Sequence, residues 1–147
     1  MLTKNQFKIL ELFVSNLTKR FGVREVARLL DMNNSLAHRS IAPLVKEGIV
    51  VKDDKGYLFV DFRKNHDILS FTEYQRRNKF LHKNKSISLL LDDLIKDFSY
   101  GYFVVLIFGS TLTSPKPRDF DLLVIIEKTE DIDKAEKRLY HITRNYT

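Results

Sequence analysis

Two apolar runs constrain this chain more than anything else in it. Phe103 to Phe108 is six residues of aromatic, β-branched and Leu types, the composition of a strand buried on both faces. Leu122 to Ile126 repeats the pattern. Gly109 and Ser110 directly follow the first run, and Asp119, Phe120 and Asp121 directly precede the second. A Gly at such a corner lets the backbone approach a ligand closely, and a small hydroxyl beside free amides suits a phosphate. Strand alternation predicts Asp119 and Asp121 on one face and Phe120 on the other. Two carboxylates side by side repel each other unless a cation lies between them.

The order strand, Gly-Ser, loop, Asp-hydrophobic-Asp, strand resembles the nucleotidyltransferase superfamily typified by DNA polymerase β, and within it the minimal nucleotidyltransferases. The residues that carry the resemblance are Phe108, Gly109, Ser110, Asp119, Phe120 and Asp121, and it covers about residues 80 to 147. It implies that Gly109 and Ser110 hold the triphosphate of a nucleoside triphosphate. It further implies that Asp119 and Asp121 are the catalytic carboxylates and bind Mg²⁺ or Mn²⁺ for nucleotidyl transfer. A partner protein resembling helical ribonuclease-like toxins, or a second copy of the chain, is the protein partner implied.

Three departures qualify the match. The loop before Asp119 is short, and Thr111, Leu112 and Thr113 stand where the family has Gly and basic residues. The family also takes a third carboxylate from a later strand, for which the residues up to Thr147 leave no room. The expectation is therefore a truncated nucleotidyltransferase-like α/β domain with a short mixed sheet. The alternative function is a transcriptional regulator in which that domain is inactive and serves as sensor or dimeriser.

A chain of 147 residues, 44% of them hydrophobic, can form one ordinary domain or two small ones. It has no cysteine, so disulfides and thiolate zinc sites are excluded, which fits a reducing interior. Met1 to Asn5 runs into an amphipathic helix rather than a leader, and no apolar run approaches spanning length. A soluble cytoplasmic protein with no membrane partner is expected. The net charge of +6 is uneven: residues 1–62 hold 10 Lys/Arg against 7 Asp/Glu, 63–85 hold 7 against 2, and 86–147 hold 8 against 10. The positive half points to a polyanion partner.

That half reads as three helices and a hairpin. Thr3 and Gln6 form a capping box for a first helix to about Thr18, with Phe7, Leu10 and Val14 inward. A second helix follows Gly22 on Val23, Val26, Ala27 and Leu30. A third opens near Asn34, buries Ala37, Ile41, Leu44 and Val45, carries Pro43 inside it, where a kink is expected, and stops at Gly48. Ile49–Lys52 and Tyr57–Val60 flank a turn with Gly56. Through Leu44, Val45, Gly48, Ile49 and Val50, residues 1–62 resemble winged helix-turn-helix DNA-binding domains. The resemblance implies double-stranded DNA as partner, with the third helix in the major groove. Asn34, Ser35, His38 and Arg39 then face the bases, Arg39 best suited to guanine, while Lys52 and Lys55 meet phosphates.

Residues 63–85 read as a basic helical connector with Arg76, Arg77, Lys79, Lys83 and Lys85, which either follows a nucleic-acid backbone or is a solvated face. In 86–147, Ser86 is an N-cap candidate for a helix on Leu89, Leu90, Leu94, Ile95 and Phe98, and Ile132, Ala135, Leu139 and Ile142 define a last helix over the sheet. His38, His66, His82 and His141 stand in no metal-ligand spacing. The fold class expected is α+β.

Overall fold

The computed structural model describes residues 2–98, 101–113 and 121–146. The chain is mixed helix and sheet, and divides into two compact units, Met1–Phe80 and Leu81–Thr147. Among the described residues no helix is long and apolar enough to cross a membrane.

The first unit is α1 (Lys4–Val14), α2 (Val23–Leu29), α3 (Asn34–Lys46), β1 (Val50–Lys52) and β2 (Leu58–Val60), followed by the start of α4 (His66–Lys83). Thr3 and Gln6 cap α1 reciprocally: the Gln6 amide donates to Thr3 Oγ1 at 3.3 Å and the Thr3 amide to Gln6 Oε1 at 2.8 Å. The helix ends at Val14 rather than Thr18, where the Asn16 side chain donates to the Leu12 carbonyl at 2.9 Å and satisfies a terminal acceptor. Its buried stripe is Gln6, Ile9, Leu10 and Phe13, so Phe7 and Val14 flank the face expected of them. α3 runs unbroken through Pro43 and stops where Gly48 takes φ +71°.

β1 and β2 pair antiparallel, Val50 opposite Val60. The outer edge of β2 is bonded in turn by Phe21, whose amide and carbonyl pair with those of Leu58 at 2.8–2.9 Å. This bridge carries the Phe21 ring to an edge-on contact with Phe13, centroids 5.5 Å apart. Ile9, Leu10, Val26, Ala37, Leu44, Val50 and Leu58 complete a closed core that also takes Leu69 of α4.

The second unit is α5 (Lys85–Asp97), β3 (Phe103–Ile107), α6 (Ser110–Thr113), β4 (Leu122–Ile126) and α7 (Ile132–Thr143). β3 and β4 pair antiparallel, Phe103 opposite Ile126 and Ile107 opposite Leu122. A mixed sheet would need a third, parallel strand, and the described residues contain none, so the expected mixed sheet is an antiparallel ladder. One face, through Phe103, Val105, Leu122, Val124 and Ile126, packs on Leu90, Leu94 and Phe98 of the α5 segment and on Ala135 and Ile142 of α7.

The strand reading of Phe103–Phe108 as buried on both faces is corrected. Among the described residues helices cover one face, and alternation leaves Leu106, Leu123 and Ile125 on the other, each 45–48% exposed. α5 is corrected likewise. It buries Ile87, Leu90 and Leu94, whereas Leu89 and Ile95 are exposed because the seam against α7 is narrower than the apolar stripe. Ser86 lies inside its first turn and Asn84 holds the cap position. On α7, Ile132 is exposed while Ala135 and Ile142 are buried.

Leu44 and Leu94 are completely buried, as are Leu10 and Leu90. Leu44→Ala and Leu94→Ala should each cost about 2–5 kcal/mol in urea unfolding, and Leu89→Ala within about 0.5 kcal/mol. A Leu89→Ala loss equal to that of Leu94→Ala would contradict the seam described.

Candidate functional site

The register of β3 and β4 builds the first candidate site. One residue beyond the ladder the Phe108 amide donates to the Asp121 carbonyl at 3.1 Å, which brings the corner after β3 against the residue before β4. Gly109 turns that corner at φ +64°. A Cβ there would lie 2.2 Å from Asp121 Oδ2, so both the backbone conformation and the space require Gly. The Ser110 amide donates to Asp121 Oδ2 at 3.1 Å, and Ser110 Oγ lies 3.4 Å from the same oxygen. The Asp121 amide donates to Oγ1 of the buried Thr111 at 2.9 Å, which locks the residue from behind.

Gly109, Ser110 and Asp121 are therefore brought together, whereas Asp119 lies outside the described residues. Thr111 completes the arrangement and was not singled out from sequence as a site residue. Its only signal there is a hydroxyl two residues after the corner Gly.

Among the described residues no group of three or more His, Asp or Glu is placed to hold a metal ion. Mg²⁺, however, is commonly held by one or two carboxylates together with substrate phosphates. Asp121 fits as one such hard oxygen ligand, beside a turn whose Ser110 amide is aimed at an anion. That amide now serves the Asp121 carboxylate itself.

The second candidate site is a surface of the first unit. At the end of α2, Asp31 takes φ +51° and the Met32 amide donates to the Ala27 carbonyl at 2.8 Å, a turn that leads directly into the Asn33 cap of α3. Asn33 Oδ1 accepts the Leu36 amide at 2.7 Å. With Ala37, Ser40, Ile41 and Leu44 buried, the opposite side of α3 presents Asn34, Ser35, His38 and Arg39, all exposed. Lys52 and Lys55 are exposed on the hairpin. Among the described residues Arg39, Lys52 and Lys55 enter no ion pair.

The hairpin tip is organised by Asp53. Its Oδ1 accepts the amides of Lys55 at 3.0 Å and Tyr57 at 2.9 Å, and Arg20 Nη1 donates to Oδ2 at 2.6 Å. The Arg20 guanidinium also lies over the Phe59 ring, 4.9 Å from its centroid. Desolvation opposes ionisation of Asp53, but the bonds from Tyr57, Arg20 and Lys55 together outweigh it and hold the carboxyl below its ordinary 3.8.

The connector is partly committed. Arg76 pairs with Glu73 at 2.7 Å, Lys79 pairs with Glu11 at 2.7 Å and lies over the Phe7 ring, and Arg77 lies over Tyr74. These cations serve the helix and its packing on α1.

Gly109→Ala should destabilise the second unit by about 2–5 kcal/mol, combining the left-handed backbone cost with overpacking. Asp121→Ala in the same chain should recover the overpacking share, so a double-mutant cycle in urea should show coupling; additive losses would contradict the contact. At the hairpin, a carboxyl whose folded pKa is lowered stabilises the fold above its unfolded pKa. That contribution is lost as pH falls through the folded value. The Lys55 and Tyr57 amide resonances should thus titrate with a midpoint below 3.8 in wild type and stay flat in Asp53→Asn.

Compared with protein-family models, curated proteins and solved structures, the chain matches none of them.

Proposed function

We propose that this is a duplex-DNA-binding protein in which a winged helix-turn-helix unit is joined to a nucleotidyltransferase-like nucleotide-binding unit. The observation that carries the reading is the divided character of α3, whose buried side ties it into the core while Asn34, Ser35, His38 and Arg39 stand together on its exposed side. Arg39 reads guanine through a bidentate contact in the major groove, and the exposed Lys52 and Lys55 take phosphates. The Asp53 turn supports this arrangement by fixing the hairpin that carries both lysines.

In the second unit, Gly109 and Ser110 take the triphosphate at the corner once the Asp121 carboxylate turns from the Ser110 amide to the divalent cation, which it takes together with Asp119. Mg²⁺ would neutralise triphosphate oxygens there. Transfer means attack of an acceptor hydroxyl on the α-phosphorus with departure of pyrophosphate. A second reading, a transcriptional regulator whose second unit is catalytically inactive and serves as sensor or dimeriser, is favoured by the contact of Asp121 with the Ser110 amide, because the carboxylate occupies the donor that the phosphate of a reacting triphosphate would need.

Arg39→Ala should weaken binding to the preferred duplex by about 1–3 kcal/mol and relax sequence choice, whereas Lys55→Ala should weaken all duplexes alike and reduce the salt slope by about one. Equal losses on every duplex for Arg39→Ala would remove α3 from the role of base reader. Labelled nucleoside triphosphates supplied with Mg²⁺ or Mn²⁺, RNA and total protein separate the two readings of the second unit. Transfer that disappears in Asp121→Ala supports an enzyme, and DNA binding without transfer supports the regulator.

A further inference from the structure

The opposite end of the β3–β4 ladder holds a cavity of about 610 Å³, a size suited to a small organic ligand. Tyr102 and Ile126 line it where β3 begins and β4 ends, and Lys128, Lys134, Lys137 and Arg138 bring four cations to it. Glu127 and Asp131 are the acidic residues on its wall. Residues 86–147 as a whole hold 8 Lys/Arg against 10 Asp/Glu, so half of that segment's cations gather around one cavity.

Unlike Arg138, which has partners of its own, Lys128, Lys134 and Lys137 enter no ion pair among the described residues. Yet Glu130 and Asp133 precede Lys134 and Lys137 by four residues, the spacing at which helix neighbours pair. Lys134 and Arg138 are like charges at the same spacing, an arrangement that works against α7. Arg138 is held in place by donating to the Asp97 carbonyl. Tyr102 adds a ring that is 63% exposed at the mouth of the same cavity. A face of compact ammonium charges beside a free aromatic ring matches a ligand with several phosphate charges and a flat base.

We infer that this cavity is a second ligand site, for a nucleoside polyphosphate bound without a divalent cation: Lys128, Lys134 and Lys137 take the phosphates and Tyr102 stacks on the base. It is separate from the Gly109–Ser110 corner, which lies at the other end of the ladder, and its chemistry is that of an effector site, since three lysines supply at the phosphates the positive charge that a divalent cation would otherwise bring.

The test uses the full chain in EDTA, titrated by calorimetry with ATP, GTP, inorganic tripolyphosphate and a short single-stranded oligonucleotide. A nucleoside triphosphate should bind saturably and more tightly than tripolyphosphate. Affinity should fall about tenfold or more in Lys134→Glu/Lys137→Glu, and fall in the same direction in Lys134→Ala/Lys137→Ala, which preserves helix propensity. Tyr102→Ala should bring the triphosphate down to the tripolyphosphate level, and Leu89→Ala, at an exposed position of α5 outside the cavity, should bind as wild type. The inference is overturned by the absence of saturable binding in EDTA, by affinity unchanged in both lysine variants, or by binding of the oligonucleotide alone. Loss in Asp121→Asn with the lysine variants intact would also overturn it, by placing the nucleotide at the Gly109 end. Failure of DNA binding or of Mg²⁺-dependent transfer would leave this result untouched.

Discussion

The second unit depends on one register. With Ile107 opposite Leu122, the next rung sets the Phe108 amide on the Asp121 carbonyl, and the corner that follows must pass within contact distance of the Asp121 carboxylate. Only Gly can occupy that corner, and the amide of the next residue then points at the same oxygen. A slip of one residue would move Leu122, Val124 and Ile126 off the α5 and α7 core and carry Asp121 to the opposite face. Packing of the inner face and construction of the site are thus one constraint.

In the first unit the comparable constraint is the burial of one side of α3. Leu44 and Ala37 are wholly enclosed, the Asn33 cap fixes where the helix begins, and the remaining side is left to polar and cationic residues. The hairpin is held by a different means. A three-residue ladder contributes little alone, and the Phe21 bridge on one edge and the Asp53 bonds at the tip supply what it lacks. Arg20, Arg76 and Lys79 of this unit have internal partners, whereas Arg39, Lys52 and Lys55 enter no ion pair among the described residues.

Much of this was legible because it rests on short-range chemistry. The Thr3–Gln6 box, the Gly48 stop, the exposed side of α3 and the closeness of Gly109 and Ser110 to Asp121 follow from capping, left-handed Gly and alternation. The errors of burial share a cause: apolar side chains exceed the surface available to bury them. Leu89, Ile95, Ile132, Leu106 and Leu123 all carry the sequence pattern of a core and stand exposed, since a two-stranded ladder with helices on one side has one inner face. Nor could the lysines of α7 be distinguished from a solvated helix until the ends of β3 and β4 were seen to close a cavity beside them.

The sequence by itself determined the α+β class, the approximate place of each element, the caps and turns, and which residues have the chemistry to meet phosphate, base or metal. These depend on neighbours within a few positions along the chain. Tertiary structure alone decided which face of each amphipathic element is inward, that β3 and β4 run antiparallel, that Thr111 braces Asp121, and that Lys128, Lys134 and Tyr102 share one wall. Those outcomes depend on side chains far apart in sequence competing for the same limited buried area, and local pattern carries no information about who wins.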